Sequence, residues 1–136
     1  MSAILSIPAE LEAIDRARIF LNDNIGRDRL SEDDLFQLDL ALVELLVNIV
    51  RYGYPKGSGE IRLKLNIDSE GIQLEIRDHG VPFNPGAAPD PSVDDILAGE
   101  RKGGLGIHLA RKFTDGMTYR RNGAENVLIL TKAFSK

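Results

Sequence analysis

Two polar side chains, Glu44 and Asn48, interrupt the apolar run from Leu40 to Val50. Residues four apart lie on the same face of an α-helix, so this carboxylate and amide would be neighbours. Because apolar side chains surround them on nearly every side, the helix is predicted to be buried, and buried polar groups are costly without a partner. The pair therefore predicts a polar partner. A solvated stripe on a surface helix is the alternative, and the run alone leaves both open.

Asp78 shares its parity with the alternating apolar residues of the run from Ile72 to Ile76. Side chains of one parity point to one face of a strand, so the carboxylate is predicted to end the buried face of a sheet. Gly80 and Pro82 turn the chain directly afterwards, which would let Asp78 project into a cavity. An aspartate that only begins a turn is the alternative.

A glycine-rich turn, KGGLG from Lys102 to Gly106, stands at the start of a predicted helix. Free backbone N–H groups and the positive end of the helix dipole suit phosphate oxygens there, and glycine lets the backbone approach closely. Arg101 and Lys102 could lean onto such a phosphate. A flexible turn is the alternative for this motif when it is taken alone.

The elements that must position these residues follow from hydrophobic periodicity and turn signals. Helices are predicted over Ala9 to about Ile25, from a cap at Ser31 to about Tyr52, and over Gly104 to Phe113, with at most one short helix over Ser92 to Ala98. Strands are predicted over Ile4 to Pro8, Ile61 to Ile67, Ile72 to Asp78, Met117 to Arg121 and Val127 to Thr131.

This order predicts an α+β fold, a two-layer sandwich with helices on one face of a mixed, largely antiparallel sheet. The other face is expected to be exposed or to form a dimer surface. The Asn122-Gly123 dipeptide predicts a hairpin between the last two strands. The proline-rich connection from Val81 to Lys102 is too long for a plain loop, which suggests a functional loop.

The composition fits one soluble domain over residues 1–136. A formal net charge of −4 and a pI near 5.2 argue against a nucleic-acid partner. The absence of cysteine excludes disulfides and thiolate sites, and no apolar run is long enough to cross a membrane. A cytoplasmic protein without a membrane anchor is therefore expected.

Taken in order, Glu44-Leu-Leu-Val-Asn48, Asp78-His-Gly80-Val-Pro-Phe83-Asn-Pro85 and Gly103-Gly-Leu-Gly106 resemble the N, G1 and G2 boxes of the GHKL (histidine-kinase-like) ATPases. The resemblance spans about residues 1 to 133 and is nearest to the stand-alone anti-sigma-factor serine/threonine kinases. The sequence departs from the pattern at Pro82, where many relatives carry a second glycine. The implied fold is the Bergerat ATP-binding fold.

The resemblance implies ATP and Mg²⁺ as cofactors. Asn48 would coordinate Mg²⁺, Glu44 would be the catalytic general base, Asp78 would accept a hydrogen bond from the adenine amino group, and residues 84–102 would form the ATP lid. We predict that the residues binding the nucleotide are Asn48, Arg51, Asp78, Gly80, Phe83, Arg101, Lys102, Gly103, Gly104, Leu105, Gly106, Ile107 and Asn126.

The resemblance further implies a kinase that transfers the γ-phosphate of ATP to a serine or threonine of an anti-sigma-factor antagonist, a small regulatory protein. A sigma factor would be a second partner, and a homodimer is compatible with the family. The alternative is a non-catalytic switch, in which ATP or ADP only sets the lid and thereby selects the protein partner. Glu44 alone separates the two hypotheses.

Overall fold

The computed structural model describes residues 1–26, 28–54, 58–82 and 104–134, apart from the side chains of 104–107 and 109. Its strands are β1 (Ser2–Pro8), β2 (Glu60–Ile67), β3 (Gly71–Asp78), β4 (Gly116–Asn122) and β5 (Glu125–Ala133). Its α-helices are α1 (Ile14–Asn24), α2 (Glu32–Asn48) and α3 (Gly104–Phe113). A 3₁₀ turn (Leu11–Ala13) precedes α1, and a π-helical turn (Ile49–Gly53) continues α2.

The strands form one sheet in the order β1-β2-β3-β5-β4. Each neighbouring pair is antiparallel, with Leu65 opposite Leu74 and Leu74 opposite Leu130 in the centre. The predicted α+β architecture with a largely antiparallel sheet is confirmed. No parallel pair occurs among the described strands, so the mixed component of the prediction is not found there.

The inner face of the sheet carries the core. Alternate residues of β2 and β3, including Leu63, Leu65, Leu74 and Ile76, are fully buried, because period-two patterning places them all on this face. The apolar sides of the helices complete the same cluster, to which α1 contributes Leu21 and α2 contributes residues such as Leu42. The described helices therefore pack on one face, as predicted.

The outer face of the sheet is charged. Arg77 forms ion pairs with Glu75 on its own strand, at 3.0 Å, and with Glu125 on β5, at 2.6 Å. These partners raise the pKa of Arg77, and Arg77 in turn lowers the pKa of Glu75. Val127 lies in the same row and is fully buried. The outer face is thus an ordered ion-pair layer.

Two helix boundaries differ from the prediction. Pro8 ends β1 and opens no helix. The N–H of Ala9 donates to the carbonyl of Gly59 at 2.8 Å, and the N–H of Glu10 donates back to the carbonyl of Pro8 at 2.8 Å, so the chain bends before the 3₁₀ turn begins. The α-helical pattern of α2 ends at Asn48, and its predicted extension to Tyr52 is a π-helical turn. Apolar spacing detects neither change, because both depend on contacts distant in sequence.

Other local predictions are confirmed. The Oγ of Ser31 accepts a hydrogen bond from the N–H of Asp34 at 3.1 Å and so caps α2. Gly123 has φ 63° in the β4–β5 hairpin, a conformation that glycine adopts without strain. The predicted short helix from Ser92 to Ala98 lies outside the described residues. Within the described residues, no helix combines the length and apolar character needed to span a bilayer.

Candidate functional site

One pocket brings together Asn48, Asp78 and Asn126, three polar residues from three separate elements. Asn48 is the last residue of α2, Asp78 ends β3, and Asn126 stands directly opposite Asp78 on β5. The remaining lining is mainly apolar and consists of Leu45, Ile49, Gly53, Val81, Tyr119 and Leu128. Apolar walls with a few convergent polar groups are typical of a small-molecule site.

Asn48 carries an unsatisfied polar atom. Its Nδ2 is buried and has no hydrogen-bond partner, and it is the one such side-chain atom found in the described part of the chain. Leaving a buried amide group unpaired costs about 1–3 kcal/mol. Because the side chain also lines the pocket, this cost points to a polar partner supplied by a ligand.

Glu44 lies one helical turn before Asn48 on α2 and is half-buried. It is not among the residues that line the pocket around Asp78, so it stands beside that pocket. Arg51 lies in the π-helical turn and is exposed, and it does not line the pocket either. Of the predicted α2 residues, the structure therefore brings Asn48 alone to Asp78.

Asp78 is 4% exposed, which makes it one of the few buried charged or polar residues. Its Oδ1 accepts hydrogen bonds from the N–H of Gly80 and from Nδ2 of Asn126, each at 2.9 Å. With Oδ1 engaged by the protein, Oδ2 is left to accept a hydrogen bond from a ligand N–H.

Gly80 is needed because two backbone segments meet at its Cα. A Cβ added there would lie 2.5 Å from the carbonyl oxygen of Gly53 and 2.9 Å from its Cα. The same carbonyl accepts a hydrogen bond from the N–H of Val81 at 2.8 Å. The π-helical turn after α2 and the turn after Asp78 are thus held together by backbone contact, which only glycine permits.

Asn126 is the centre of a hydrogen-bond network and is 5% exposed. Its Nδ2 also donates to the carbonyl of Val81 at 3.0 Å. Its Oδ1 accepts from the hydroxyl of Tyr119 at 2.5 Å and from Nη1 of Arg121 at 3.1 Å. Every polar atom of this amide therefore has a partner, and the amide fixes Asp78 in place.

Tyr54 holds the same turn from the other side. Its hydroxyl accepts a hydrogen bond from the N–H of His79 at 2.6 Å and donates to the carbonyl of Glu60 at 3.0 Å. Burial is the main cause that raises the pKa of the Tyr54 hydroxyl, so it remains a neutral donor at ordinary pH. The turn after Asp78 is thus fixed from both flanks.

Several predicted residues lie outside the described part of the chain, namely Phe83, the segment 84–102, Arg101, Lys102 and Gly103. Gly104 begins α3 as predicted, and Leu105, Gly106 and Ile107 continue its backbone.

Asn48 is suited to a metal that takes oxygen ligands, since it offers an amide oxygen and no sulfur or imidazole. Among the described residues, no group of three or more histidine, aspartate or glutamate side chains could hold a metal ion. A cation here would therefore need most of its ligands from water or from a bound anion such as a phosphate. The donor set fits Mg²⁺ held together with a nucleotide.

Sequence reasoning missed Tyr119 and Arg121. Both were predicted to lie on a strand, and the Asn122-Gly123 turn sets the hairpin register that places Arg121 opposite Asn126. Because side chains two apart share a face, Tyr119 could have been assigned to the pocket from the same register. The sequence therefore contains the information that places both residues near the pocket, but only when the hairpin register is combined with the alternation of side chains along β4.

The chain is similar to several known proteins. A family model described as the histidine kinase-like ATPase domain matches residues 7–132. The serine/threonine-protein kinase BtrW of Bordetella bronchiseptica is 34% identical over 106 residues, which cover 77% of this chain and 75% of that protein. The serine-protein kinase RsbW of Staphylococcus epidermidis is 30% identical over 129 residues, covering 88% of this chain and 79% of that protein.

The RsbW of Bacillus mycoides is 22% identical over 129 residues, covering 92% of this chain and 81% of that protein. The matched family is named for an ATPase, and these relatives are named as serine or serine/threonine kinases. The chain belongs to the family of histidine kinase-like ATPase domains.

Proposed function

We propose that this chain is an ATP-dependent serine/threonine protein kinase of the anti-sigma-factor type. The observation that carries the proposal is the shared pocket, in which the unpaired amide of Asn48 faces the same space as the fixed carboxylate of Asp78. The kinase names of the relatives support the same reaction class. The substrate would be a serine or threonine hydroxyl of a small antagonist protein, as the resemblance implies.

Asn48 would hold Mg²⁺ through its amide oxygen. The unpaired Nδ2 supports this role, because the amide group can rotate and the assignment of its oxygen and nitrogen follows the partner that is present. When bound, Mg²⁺ neutralises negative charge on the phosphate oxygens of ATP. The protein itself contributes the amide of the last residue of α2.

Asp78 would recognise the adenine. Its Oδ1 is occupied by Gly80 and Asn126, so Oδ2 would accept a hydrogen bond from the exocyclic amino group of the base. The apolar walls formed by Ile49 and Leu128 would contact the faces of the ring. Gly80 and Asn126 would thus contribute to nucleotide binding mainly by holding the carboxylate of Asp78 in place.

Glu44 would be the general base. In the transfer step, the substrate hydroxyl oxygen forms a bond to the γ-phosphorus while the bond from that phosphorus to the β–γ bridging oxygen breaks, so ADP leaves. The hydroxyl proton passes to the carboxylate of Glu44. Glu44 is half-buried and lies one helical turn before Asn48. This position supports the proposal that its carboxylate reaches the terminal phosphate of a nucleotide bound at Asn48.

The remaining predicted contacts are proposals on the resemblance. The turn from Gly103 to Gly106 would bind the phosphates through its backbone N–H groups. Arg101 and Lys102 would neutralise the phosphate charge. Ile107, in the first turn of α3, would also contact the nucleotide. The segment 84–102 would close over ATP as a lid, with Phe83 just before it. Arg51 would contact the nucleotide from the π-helical turn that follows α2.

The shared core of the described helices and strands supports the proposal that residues 1–136 form a single domain. An anti-sigma-factor antagonist is proposed as the substrate protein and a sigma factor as a second partner, both in the cytoplasm. A homodimer is proposed as compatible with this family.

The test is transfer of labelled γ-phosphate from ATP to a candidate antagonist protein, comparing the wild type with Glu44→Gln. The isosteric amide cannot take the proton, so transfer should fall about 100-fold or more, while calorimetry should find ATP affinity unchanged. A serine-to-alanine version of the antagonist is the control for the acceptor. Equal transfer by both enzymes would remove Glu44 as the base.

The non-catalytic switch predicts a different outcome. Wild type would bind ATP and the antagonist but would transfer no phosphate, and Glu44→Gln would behave like wild type in every assay. Calorimetric binding together with labelled transfer therefore separates the two candidate functions.

A further inference from the structure

Arg121 stands in the row of inner-face residues that leads to the adenine-binding carboxylate of the proposed function. Antiparallel register places Arg121 of β4 opposite Asn126 of β5, and Asn126 opposite Asp78 of β3. The three side chains therefore lie side by side across the sheet. Arg121 is exposed as a whole, so it can be substituted without opening the core.

The guanidinium of Arg121 has three acceptors. Its Nη1 donates to the carbonyl of Gly80 at 2.8 Å and to Oδ1 of Asn126 at 3.1 Å. Its Nε donates to the carbonyl of Gly123 at 3.0 Å, which ties the side chain to the tip of the hairpin. Arginine has donors only, so each contact demands an acceptor on the other side.

This demand fixes the orientation of the Asn126 amide. Arg121 and the hydroxyl of Tyr119 both donate to Oδ1, so Nδ2 must face Asp78 and the carbonyl of Val81. A rotated amide would direct its oxygen at two acceptors and its NH₂ at the guanidinium. Arg121 thereby excludes the orientation in which Asn126 would repel Asp78.

We propose that Arg121 is a positioning residue for base recognition, which acts through Asn126 to present Asp78 to an exocyclic amino group. The inference rests on the proposed function, since it concerns the same pocket. It predicts that Arg121 controls the preference for adenine over a purine that carries a carbonyl at the same position. The carbonyl of such a base is an acceptor and cannot donate a hydrogen bond to the carboxylate of Asp78. Its binding therefore gains nothing from the fixed orientation of that carboxylate.

The experiment measures the affinities of wild type, Arg121→Met and Arg121→Lys for Mg-ATP and for Mg-inosine triphosphate, by calorimetry and by competition. Inosine differs from adenosine in bearing a carbonyl in place of the amino group, so it is the matched probe. Arg120→Met is the matched control, because Arg120 is the neighbouring arginine of β4 and lies on the outer face. Thermal denaturation checks that each variant is folded.

Arg121→Met should weaken ATP binding about tenfold, the effect of one hydrogen bond to a charged group. Its affinity for inosine triphosphate should change less than about twofold, so the preference for ATP falls. Arg121→Lys keeps one donor without the planar fork and should come within about threefold of wild type. Arg120→Met should match wild type for both nucleotides.

Equal losses for the two nucleotides would reduce Arg121 to a merely structural residue and would overturn the inference. Unchanged ATP binding in Arg121→Met would overturn it as well, while leaving the proposed function intact. If wild type bound neither nucleotide, the proposed function would fall and the inference with it. The behaviour of wild type therefore distinguishes the two failures.

Discussion

Replacing Asn48 by leucine should have opposite effects on the stability of the free protein and on its stabilisation by ligand. Nδ2 of Asn48 is buried without a partner, so the free protein carries an uncompensated amide. Leucine has a similar shape and no polar atom, and such a replacement removes a penalty of about 1–3 kcal/mol. We take about 1 kcal/mol as the gain, which corresponds to roughly 4 °C in Tm for a domain of this size.

The same substitution should remove most of the stabilisation by Mg-ATP. Ligand at about 100 times its Kd adds roughly 2.7 kcal/mol to the folded state, or about 10 °C in Tm. Without the amide oxygen of Asn48, the shift should fall to that produced by ATP in the presence of a chelator. The assay is thermal denaturation of wild type and variant, each without ligand, with ATP and chelator, and with Mg-ATP.

Asn24→Leu is the matched control. Asn24 is also a half-buried asparagine in a helix, but its Nδ2 donates to the carbonyl of Phe20 at 2.7 Å. Its replacement should lower the Tm of the free protein, since a satisfied hydrogen bond worth about 1 kcal/mol is lost, and should keep the full Mg-ATP shift. The reasoning is refuted if Asn48→Leu destabilises the free protein like Asn24→Leu and still responds fully to Mg-ATP.

Two further predictions concern the turn after Asp78 and the outer face. Gly80→Ala should destabilise the protein by roughly 2 kcal/mol in urea denaturation, because its Cβ would meet the carbonyl of Gly53 at 2.5 Å. Gly53→Ala, whose Cβ meets no atom closer than 3.6 Å, should cost much less, and equal losses would contradict the clash. Arg77 lowers the pKa of Glu75 from its ordinary 4.5, so their pairing stabilises the fold above that pH and is lost as pH falls through the lowered value. Arg77→Met should therefore cost roughly 1 kcal/mol at pH 7, and this cost should shrink as pH falls below the ordinary pKa of a glutamate. A loss independent of pH would contradict the pairing.

Local patterns predicted the elements of this fold well. Strict alternation in β2 and β3 gave the buried face directly, and the Ser31 cap and the Asn122-Gly123 turn fixed two boundaries. Each of these signals spans only a few residues, and the local order of residues is enough to reveal it. The pairing of β1 with β2 joins residues some sixty positions apart, for example Ser2 with Asn66, and no local pattern specifies such a partner.

The site was predicted in part. Asp78 is buried at the end of the inner face and Asn48 has an unpaired polar atom, as one of the two interpretations left open for each residue predicted. The hydrogen bonds that fix Asp78 could not be predicted, because Asn126 approaches it from a strand 48 residues away. The contact between Gly53 and Gly80 likewise depends on the π-helical turn, which apolar spacing does not distinguish from an α-helix.

The most direct test of the central claim is a calorimetric titration of the wild type and of Asp78→Asn with Mg-ATP. The account predicts that wild type binds one ATP and that the variant binds it at least about tenfold more weakly, because the amide donates where the carboxylate accepts. Thermal denaturation of the free variant should first establish that it is folded. No heat of binding for wild type, or equal affinity in the two proteins, would contradict the claim that this pocket recognises the adenine of ATP.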